Sequence, residues 1–143
     1  NEGTYLKSGF LDAYPAELPG AIMDGFKADP QRNTVLFFQH SGGAIGRVAK
    51  DATAFPHRHT THNMLSAVSW KLENDAKPHM DYLRNYWKGL ERFTNGYYTN
   101  ETIDEAQGVI DENYQGNLGR MRQVKKKYDP MNLFRLNANV QPA

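Results

Sequence analysis

Apolar residues recur at helical spacing in the middle of this 143-residue chain, and the pattern limits the folds available to it. The residues concerned are Met80, Leu83, Trp87 and Leu90. Because they are three or four positions apart, they lie on one side of a helix, which we predict over 76–93. Asn95-Gly96 marks its end, since glycine readily adopts the left-handed conformation that closes a helix. A helix with one apolar side needs a second layer to cover that side.

The upstream half of the chain predicts that this second layer is a β-sheet. The β-branched and aromatic run 34–39 (Thr-Val-Leu-Phe-Phe-Gln) is typical of a strand buried on both faces. A break at 41–43 (Ser-Gly-Gly) is followed by a second short strand over 44–49, and we expect the two strands to form a hairpin. A third strand is predicted over 63–70, and a short helix over 16–27.

Two further helices are predicted towards the C-terminus. Thr102 and Glu105 have the spacing of a capping box, which places the start of one helix there. Asn117 is a candidate cap for the next helix, and Asp129-Pro130 ends it because proline disfavours helical geometry in the preceding residue. Its expected apolar face consists of Leu118, Met121, Val124 and Tyr128. Strands followed by helices indicate an α+β fold, with an antiparallel sheet backed by helices.

Charge and composition exclude several classes of function. Lysine and arginine number 17 against 16 aspartates and glutamates, so the net charge of +1 lacks the basic excess of nucleic-acid-binding proteins. No stretch reaches the roughly 18 apolar residues that span a bilayer. The absence of cysteine excludes disulfides, thiol catalysis and zinc–thiolate sites, and is compatible with an exported or a cytoplasmic protein. We therefore expect neither a nucleic acid nor a membrane as partner.

The first residues, Asn1 to Ser8, have neither an initiating methionine nor the basic and apolar segments of a secretion signal. We interpret the chain as a fragment from the interior of a longer protein. A mature form trimmed after a signal, or a boundary chosen by design, is the alternative.

Three histidines, His57, His59 and His62, form the densest group of potential metal ligands. Their spacing matches no zinc motif, and no carboxylate lies among them as a clear fourth ligand. Pro56 favours a loop here over the helical turn on which two of these histidines would chelate a metal together. We therefore predict a polar loop and no metal site.

The link after the first predicted long helix carries two tyrosines and an amide, Tyr97, Tyr98 and Asn100. These groups are suited to hydrogen bonding with a polar aromatic ligand. The alternative is that one ring packs in the core and the other covers the surface. The Gly42-Gly43 pair does not continue into a phosphate-binding motif, so we interpret it as a tight turn or bulge.

Several blocks of sequence, in this order and spacing, resemble a single family. They are Gly42–Val48 with Asp51–Arg58, then Tyr98–Asn100, then Tyr114–Asn117 followed by Val124–Arg135 and Asn139–Pro142. The stretch ending in Lys-Tyr-Asp-Pro-x-Asn-x-Phe is the most specific. Together they resemble the C-terminal region, or berberine-like domain, of berberine-bridge-enzyme-like FAD-linked oxidases, which are flavoproteins of the vanillyl-alcohol-oxidase type. The similarity covers residues 5–142.

The resemblance implies a division of the chain, a cofactor and a reaction. Residues 1–94 would be the later part of a substrate-binding sheet domain with its covering helix, and 95–143 a berberine-like segment that packs on the FAD domain of the same polypeptide. That N-terminal domain, absent from these 143 residues, would bind most of the FAD. The implied reaction oxidises a C–H bond or an alcohol of a small molecule or sugar, by hydride transfer to the flavin with oxygen as acceptor.

The resemblance also implies roles for individual residues. Tyr98 and Asn100 match the family's Tyr-x-Asn segment, which lies against the flavin. Gln39 and Asn63 fall on strand positions that face the substrate in relatives. Glu101 stands where several relatives carry a tyrosine that acts as catalytic base, so it is either the base here or a solvent-exposed residue beside the next helix cap.

A second interpretation is a stand-alone binding or assembly module derived from this family, with the fold and the pocket but no redox chemistry. A flavin-domain sequence preceding Asn1 would select the enzyme. Without its FAD domain, the chain is expected to be inactive. It is also expected to self-associate through an apolar patch at the 97–100 link or the C-terminal tail.

Overall fold

An antiparallel sheet of three strands organises the part of the chain that the computed structural model describes, residues 1–101, 106–136 and 138–143. Its strands are β1 (Glu2–Leu11), β2 (Asn33–His40) and β3 (His62–Lys71). The strand order is β1-β3-β2, so β3 is central and hydrogen-bonded on both sides. In this register Asn63 on β3 lies between Phe10 on β1 and Gln39 on β2.

The helices follow the sheet in sequence except for the first. They are α1 (Leu18–Gly25), α2 (Ala76–Leu90), α3 (Gln107–Asn113) and α4 (Leu118–Tyr128), with short 3-10 turns at Ile45–Arg47, Glu91–Phe93 and Gln115–Asn117. The helix predicted over 76–93 is confirmed as α2 and the 3-10 turn that follows it. Asp75 caps α2 by accepting a hydrogen bond from the Lys77 backbone N–H at 3.0 Å. Among the described residues no helix combines the length and the apolar content that crossing a bilayer requires.

Helices α1 and α2 cover one face of the sheet, which confirms the α+β class. Side chains alternate along a strand, so every second residue of β3 points to the same face. The core combines these residues with the apolar side of α2 and with Leu18 of α1. Its fully buried apolar members are Leu11, Leu18, Met64, Val68, Leu83 and Leu90.

The opposite face of the sheet is only partly covered, and the prediction that 34–39 is buried on both faces is wrong. Strand β2 is an edge strand, and Val35 and Phe37 are each 42% exposed. We call this side of the sheet the open face; Val35, Phe37 and Gln39 on β2 are exposed there, while Asn63 and Leu65 on β3 are buried. Strand β2 has the apolar composition of a central strand because both of its faces carry apolar side chains. One face packs against the core, and the other lies at this surface.

The predicted hairpin between 34–39 and 44–49 is also wrong. Strand β2 pairs with β3 along its whole length, and the segment after it contains the 3-10 turn Ile45–Arg47. Gly42 and Gly43 have φ angles of +151° and +56°, which redirect the chain away from the sheet. The tight turn expected at these glycines is therefore present, but it leads into an exposed loop.

Two of the predicted helix starts have different outcomes. The Asn117 side chain makes no capping hydrogen bond with α4. Its amide nitrogen donates instead to the carbonyls of Lys50 and Thr53 at 2.7 and 3.1 Å, which joins the loop around 50–53 to the start of the helix. The capping box of Thr102 and Glu105 lies outside the described residues. The predicted stop at Asp129-Pro130 is confirmed, since α4 ends at Tyr128.

Truncation of Leu83 tests the packing of α2 on the sheet. Leu83 has no exposed surface, so replacing it with alanine leaves a cavity beneath the helix. We expect Leu83→Ala to lower the free energy of unfolding by about 2–5 kcal/mol in urea titrations. Lys88→Ala on the exposed side of α2 is the matched control and should change it by less than about 0.5 kcal/mol. Equal effects of the two substitutions would contradict this packing.

Candidate functional site

Three polar side chains meet at one end of the open face. The Asn63 amide nitrogen donates to Gln39 Oε1 at 3.0 Å and to Glu101 Oε2 at 2.8 Å. The first contact follows from the sheet register, because Gln39 and Asn63 are direct partners across β2 and β3. The second joins residues that are 38 positions apart in sequence. We call Gln39, Asn63 and Glu101 the amide–carboxylate cluster.

Glu101 reaches this cluster from a turn. Its backbone N–H donates to the carbonyl of Tyr98 at 2.9 Å, which closes the turn 98–101 and brings its side chain towards the sheet. The side chain is half-buried and hydrogen-bonded, not free in solvent as one alternative expected. A carboxylate held in one orientation by a hydrogen bond is suited to accept a proton from a molecule bound beside it.

Asn63 has an unused acceptor. The residue is only 4% exposed, and both hydrogens of its amide nitrogen are directed at the two partners in the cluster. Its Oδ1 atom is buried and has no hydrogen-bond partner in the described part of the chain. A buried acceptor without a partner is costly, so a hydroxyl or water that donates to it would be stabilised there.

Tyr98 and Asn100 form a second polar pair beside the cluster. The Asn100 amide nitrogen donates to the Tyr98 hydroxyl at 3.0 Å, and both residues are exposed. Tyr97, in contrast, is 8% exposed and packs inside. The alternative in which one ring packs in the core and the other lies at the surface is therefore the one observed. The exposed ring, Tyr98, is the one whose hydroxyl is hydrogen-bonded to Asn100.

A cavity of about 210 Å³ lies against this pair. Rings of Phe55, Tyr98 and Tyr114 contribute to its lining, together with the Asn100 amide. Aromatic side chains together with a hydroxyl and an amide are group types suited to a flat heteroaromatic ligand. The volume is below the about 300–1,000 Å³ of complete ligand pockets.

The turn that carries these residues is fixed to the sheet by His57. Its Nε2 atom lies 3.0 Å from Asn113 Oδ1, which also accepts the Tyr97 backbone N–H at 2.9 Å. The ring stacks on Phe10 with a centroid distance of 4.6 Å. Gly96, at φ +79°, allows this arrangement, because a Cβ there would lie 2.2 Å from the imidazole.

His57 is therefore a buried structural residue and not part of a solvated loop. Asn113 Oδ1 accepts two hydrogen bonds, so the neutral imidazole carries its proton on Nε2. His59 is exposed and His62 half-buried. Within residues 1–101, 106–136 and 138–143, no group of three histidines, cysteines or carboxylates is arranged to hold a metal ion.

The pKa of His57 gives a pH test of this arrangement. Burial lowers the pKa below its ordinary value of 6.5, and hydrogen bonding to Asn113 opposes the shift only in part. The folded state thus favours the neutral ring, so its contribution to stability is complete above pH 6.5 and is lost as the pH falls below that value. We expect the His57 ring resonances to titrate with a midpoint below 6.5. A midpoint above it would contradict the burial described.

Comparison with known proteins gives a consistent result. Residues 71–141 match the family model described as berberine and berberine like. An uncharacterised FAD-linked oxidoreductase of Bacillus subtilis, YvdP, is 32% identical over 126 residues, which are 87% of this chain and 28% of that protein. Berberine bridge enzyme-like 7 of Arabidopsis thaliana is 26% identical over 132 residues, covering 77% of this chain and 25% of that protein.

The fold is also found in larger solved structures. A glycopeptide hexose oxidase in complex with teicoplanin superimposes with a TM-score of 0.85 over 99% of this chain and 33% of its own, at 22% identity. The chain spans about a quarter of the length of the curated relatives just described (28% and 25%). By its family-model match and by its relatives, the chain belongs to the berberine-bridge-enzyme-like family of FAD-linked oxidoreductases.

Proposed function

We propose that this chain is part of an FAD-dependent oxidoreductase that oxidises a C–H bond or an alcohol of a small molecule or sugar, with oxygen as the final acceptor. The observation that carries the proposal is the amide–carboxylate cluster, in which Asn63 holds Glu101 beside the open face. A carboxylate next to an accessible surface, in a chain related to FAD-linked oxidoreductases, can provide the base that oxidation of a hydroxyl-bearing carbon uses.

The chain contributes two parts to this enzyme. Residues 1–94 are part of the substrate-binding sheet domain with its covering helix, and 95–143 are the berberine-like segment that packs on the FAD domain of the same polypeptide. The small share of the relatives' length, 28% in the first of them, supports a larger enzyme of which this chain is one part. So does the incomplete cavity beside Tyr98 and Asn100. The chain alone is inactive because the FAD domain provides most of the cofactor contacts.

Each residue of the site has a separate task. Glu101 accepts the proton of the substrate hydroxyl, and the C–H bond of the same carbon gives up the hydride, while Asn63 keeps the carboxylate in position. Gln39, an amide, cannot act as a base and instead orients the substrate by hydrogen bonding. FAD, when bound, supplies the hydride acceptor. Tyr98 and Asn100 would hold the flavin through their hydroxyl and amide groups.

The role of Glu101 can be tested in the full-length enzyme with Glu101→Gln. Glutamine preserves the shape and the contact with Asn63 but cannot take a proton, so we expect kcat/KM to fall by about 10²–10⁴-fold. The rise of kcat/KM with pH that reports ionisation of the base should also disappear. Glu17→Gln, at an exposed position before α1, is the control and should leave both unchanged. A wild-type pH–rate profile in Glu101→Gln would exclude this residue as the base.

The cofactor role of the second pair is tested separately. We expect the double substitution Tyr98→Ala and Asn100→Ala in the full-length enzyme to weaken flavin binding and turnover, because it removes the polar edge that meets the ring. Titration of flavin fluorescence against the apoprotein measures the dissociation constant. Met23→Ala removes an exposed side chain of α1, outside the site and outside 95–143, and is the control. Unchanged flavin affinity and turnover in the double variant would overturn the assignment.

A further inference from the structure

Gln115 contacts the second nitrogen of the His57 ring. Its amide nitrogen lies 3.4 Å from His57 Nδ1 and donates to Asn95 Oδ1 at 3.5 Å. Because the neutral imidazole carries its proton on Nε2, Nδ1 is an acceptor, and the Gln115 amide donates to it. Gln115 has a φ of +49°, which is uncommon for a residue other than glycine and persists where surrounding contacts hold it. We call His57, Asn113 and Gln115 the histidine clamp.

The histidine clamp holds the beginning of the turn 96–101, which carries the candidate site. Asn113 accepts the backbone N–H of Tyr97 at 2.9 Å, and Gly96 lies directly against the imidazole. Glu101 follows Tyr97 by only four positions and closes the turn through its own backbone N–H. A displacement of the clamp would therefore move the turn and, with it, the carboxylate of Glu101.

The clamp depends on a neutral imidazole. A second proton would bind at Nδ1 and place its N–H against the amide N–H of Gln115, two donors 3.4 Å apart with no acceptor between them. Burial also opposes the charged ring and is the main reason why the pKa of His57 lies below 6.5. Two charged groups act on it in opposite directions: Asp12, just after β1, raises the pKa, and Lys50, in the loop before the ring, lowers it. Tyr114, which follows α3, stays neutral over this range because burial raises its pKa.

We propose that the histidine clamp positions the turn 96–101 only while His57 is neutral, and that protonation of His57 releases the turn. The imidazolium is more stable in water than in the buried site, so uptake of the proton favours a conformation in which the ring has left the clamp. This rests on the proposed function, which assigns the base and the flavin contacts to the turn. His57 and Gln115 are thus positioning residues, because they act on the reaction through the turn and touch no reacting atom.

The direction of the pH dependence follows from proton linkage. In the released turn the His57 ring has its ordinary pKa of 6.5, and in the clamp its pKa is lower. The released state therefore binds the proton more tightly than the clamped state. As a result, the ratio of released to clamped molecules is constant above pH 6.5 and rises as the pH falls from 6.5 to the pKa of the clamped ring, by up to about tenfold per pH unit.

Hydrogen–deuterium exchange of the full-length polypeptide measures the release of the turn directly. Peptides covering 96–101 are compared with an unfolded sample at each pH, so that the intrinsic pH dependence of exchange cancels. We expect the protection of these peptides to fall by up to about tenfold per pH unit below pH 6.5, whereas peptides from β3 keep theirs. Protection of 96–101 that stays constant between about pH 7 and about pH 4.5 would overturn the proposal. An equal fall in peptides from β3 would indicate general unfolding and would also overturn it.

Variants of the two positioning residues test the role of the proton in the same assay. His57→Gln keeps a side-chain N–H that can donate to Asn113 but cannot take up a proton, so the protection should lose its pH dependence. Gln115→Glu has the same shape and places a carboxylate against Nδ1, which stabilises the charged ring, so the protection should no longer fall between pH 6.5 and about pH 5. His59→Gln, at an exposed histidine outside the clamp, is the matched control and should behave like the wild type. A wild-type fall of protection in His57→Gln or in Gln115→Glu would exclude the clamp.

Exchange and turnover, measured on one preparation, give independent answers. In an active enzyme, kcat/KM should fall over the same pH range as the protection of 96–101, and less steeply in His57→Gln. Protection that depends on pH in a protein without flavin-dependent oxidation would contradict the proposed function and support the clamp. An active flavoenzyme whose turn keeps its protection at every pH would contradict the clamp and support the function.

Discussion

The alternation of side chains along the central strand β3 is the constraint on which the rest of the structure depends. Its even-numbered residues, such as Met64 and Val68, enter the core beneath α2. Its odd-numbered residues, such as Asn63, face the opposite side, where the amide–carboxylate cluster lies. Because β3 is paired on both sides, a shift of one residue would exchange these two sets, so the core fixes the site as firmly as it fixes the fold.

Local patterns predicted the elements that local physics determines. The apolar stripe from Met80 to Leu90 predicted α2, and Asp129-Pro130 predicted the end of α4. Both signals lie within a few residues of the structure that they specify. Strand β1 had no prediction, although its alternating residues resemble those of the other strands. The hairpin was wrong because strand pairing is decided by partners far apart in sequence, and β3 offers β2 eight consecutive partners.

The candidate site shows the same division. The resemblance to a known family identified Gln39, Asn63 and Glu101 as candidate site residues. Their contact is visible only in the folded chain, since 38 positions separate Asn63 from Glu101. The contact of His57 with Asn113 spans 56 residues and had no signal in the spacing of the histidines. What a histidine-rich loop does depends on which distant acceptor it meets, and Asn113 makes His57 a structural residue that secures the turn carrying Glu101.

The central claim is that the open face with the amide–carboxylate cluster is one wall of a flavin site. A crystal structure of the full-length polypeptide with FAD tests it most directly. We expect the flavin ring to lie over the open face, in contact with Tyr98 and Asn100 and with Glu101 directed at the space beside the ring. A flavin bound on the other side of the sheet, or in contact with none of these residues, would contradict it.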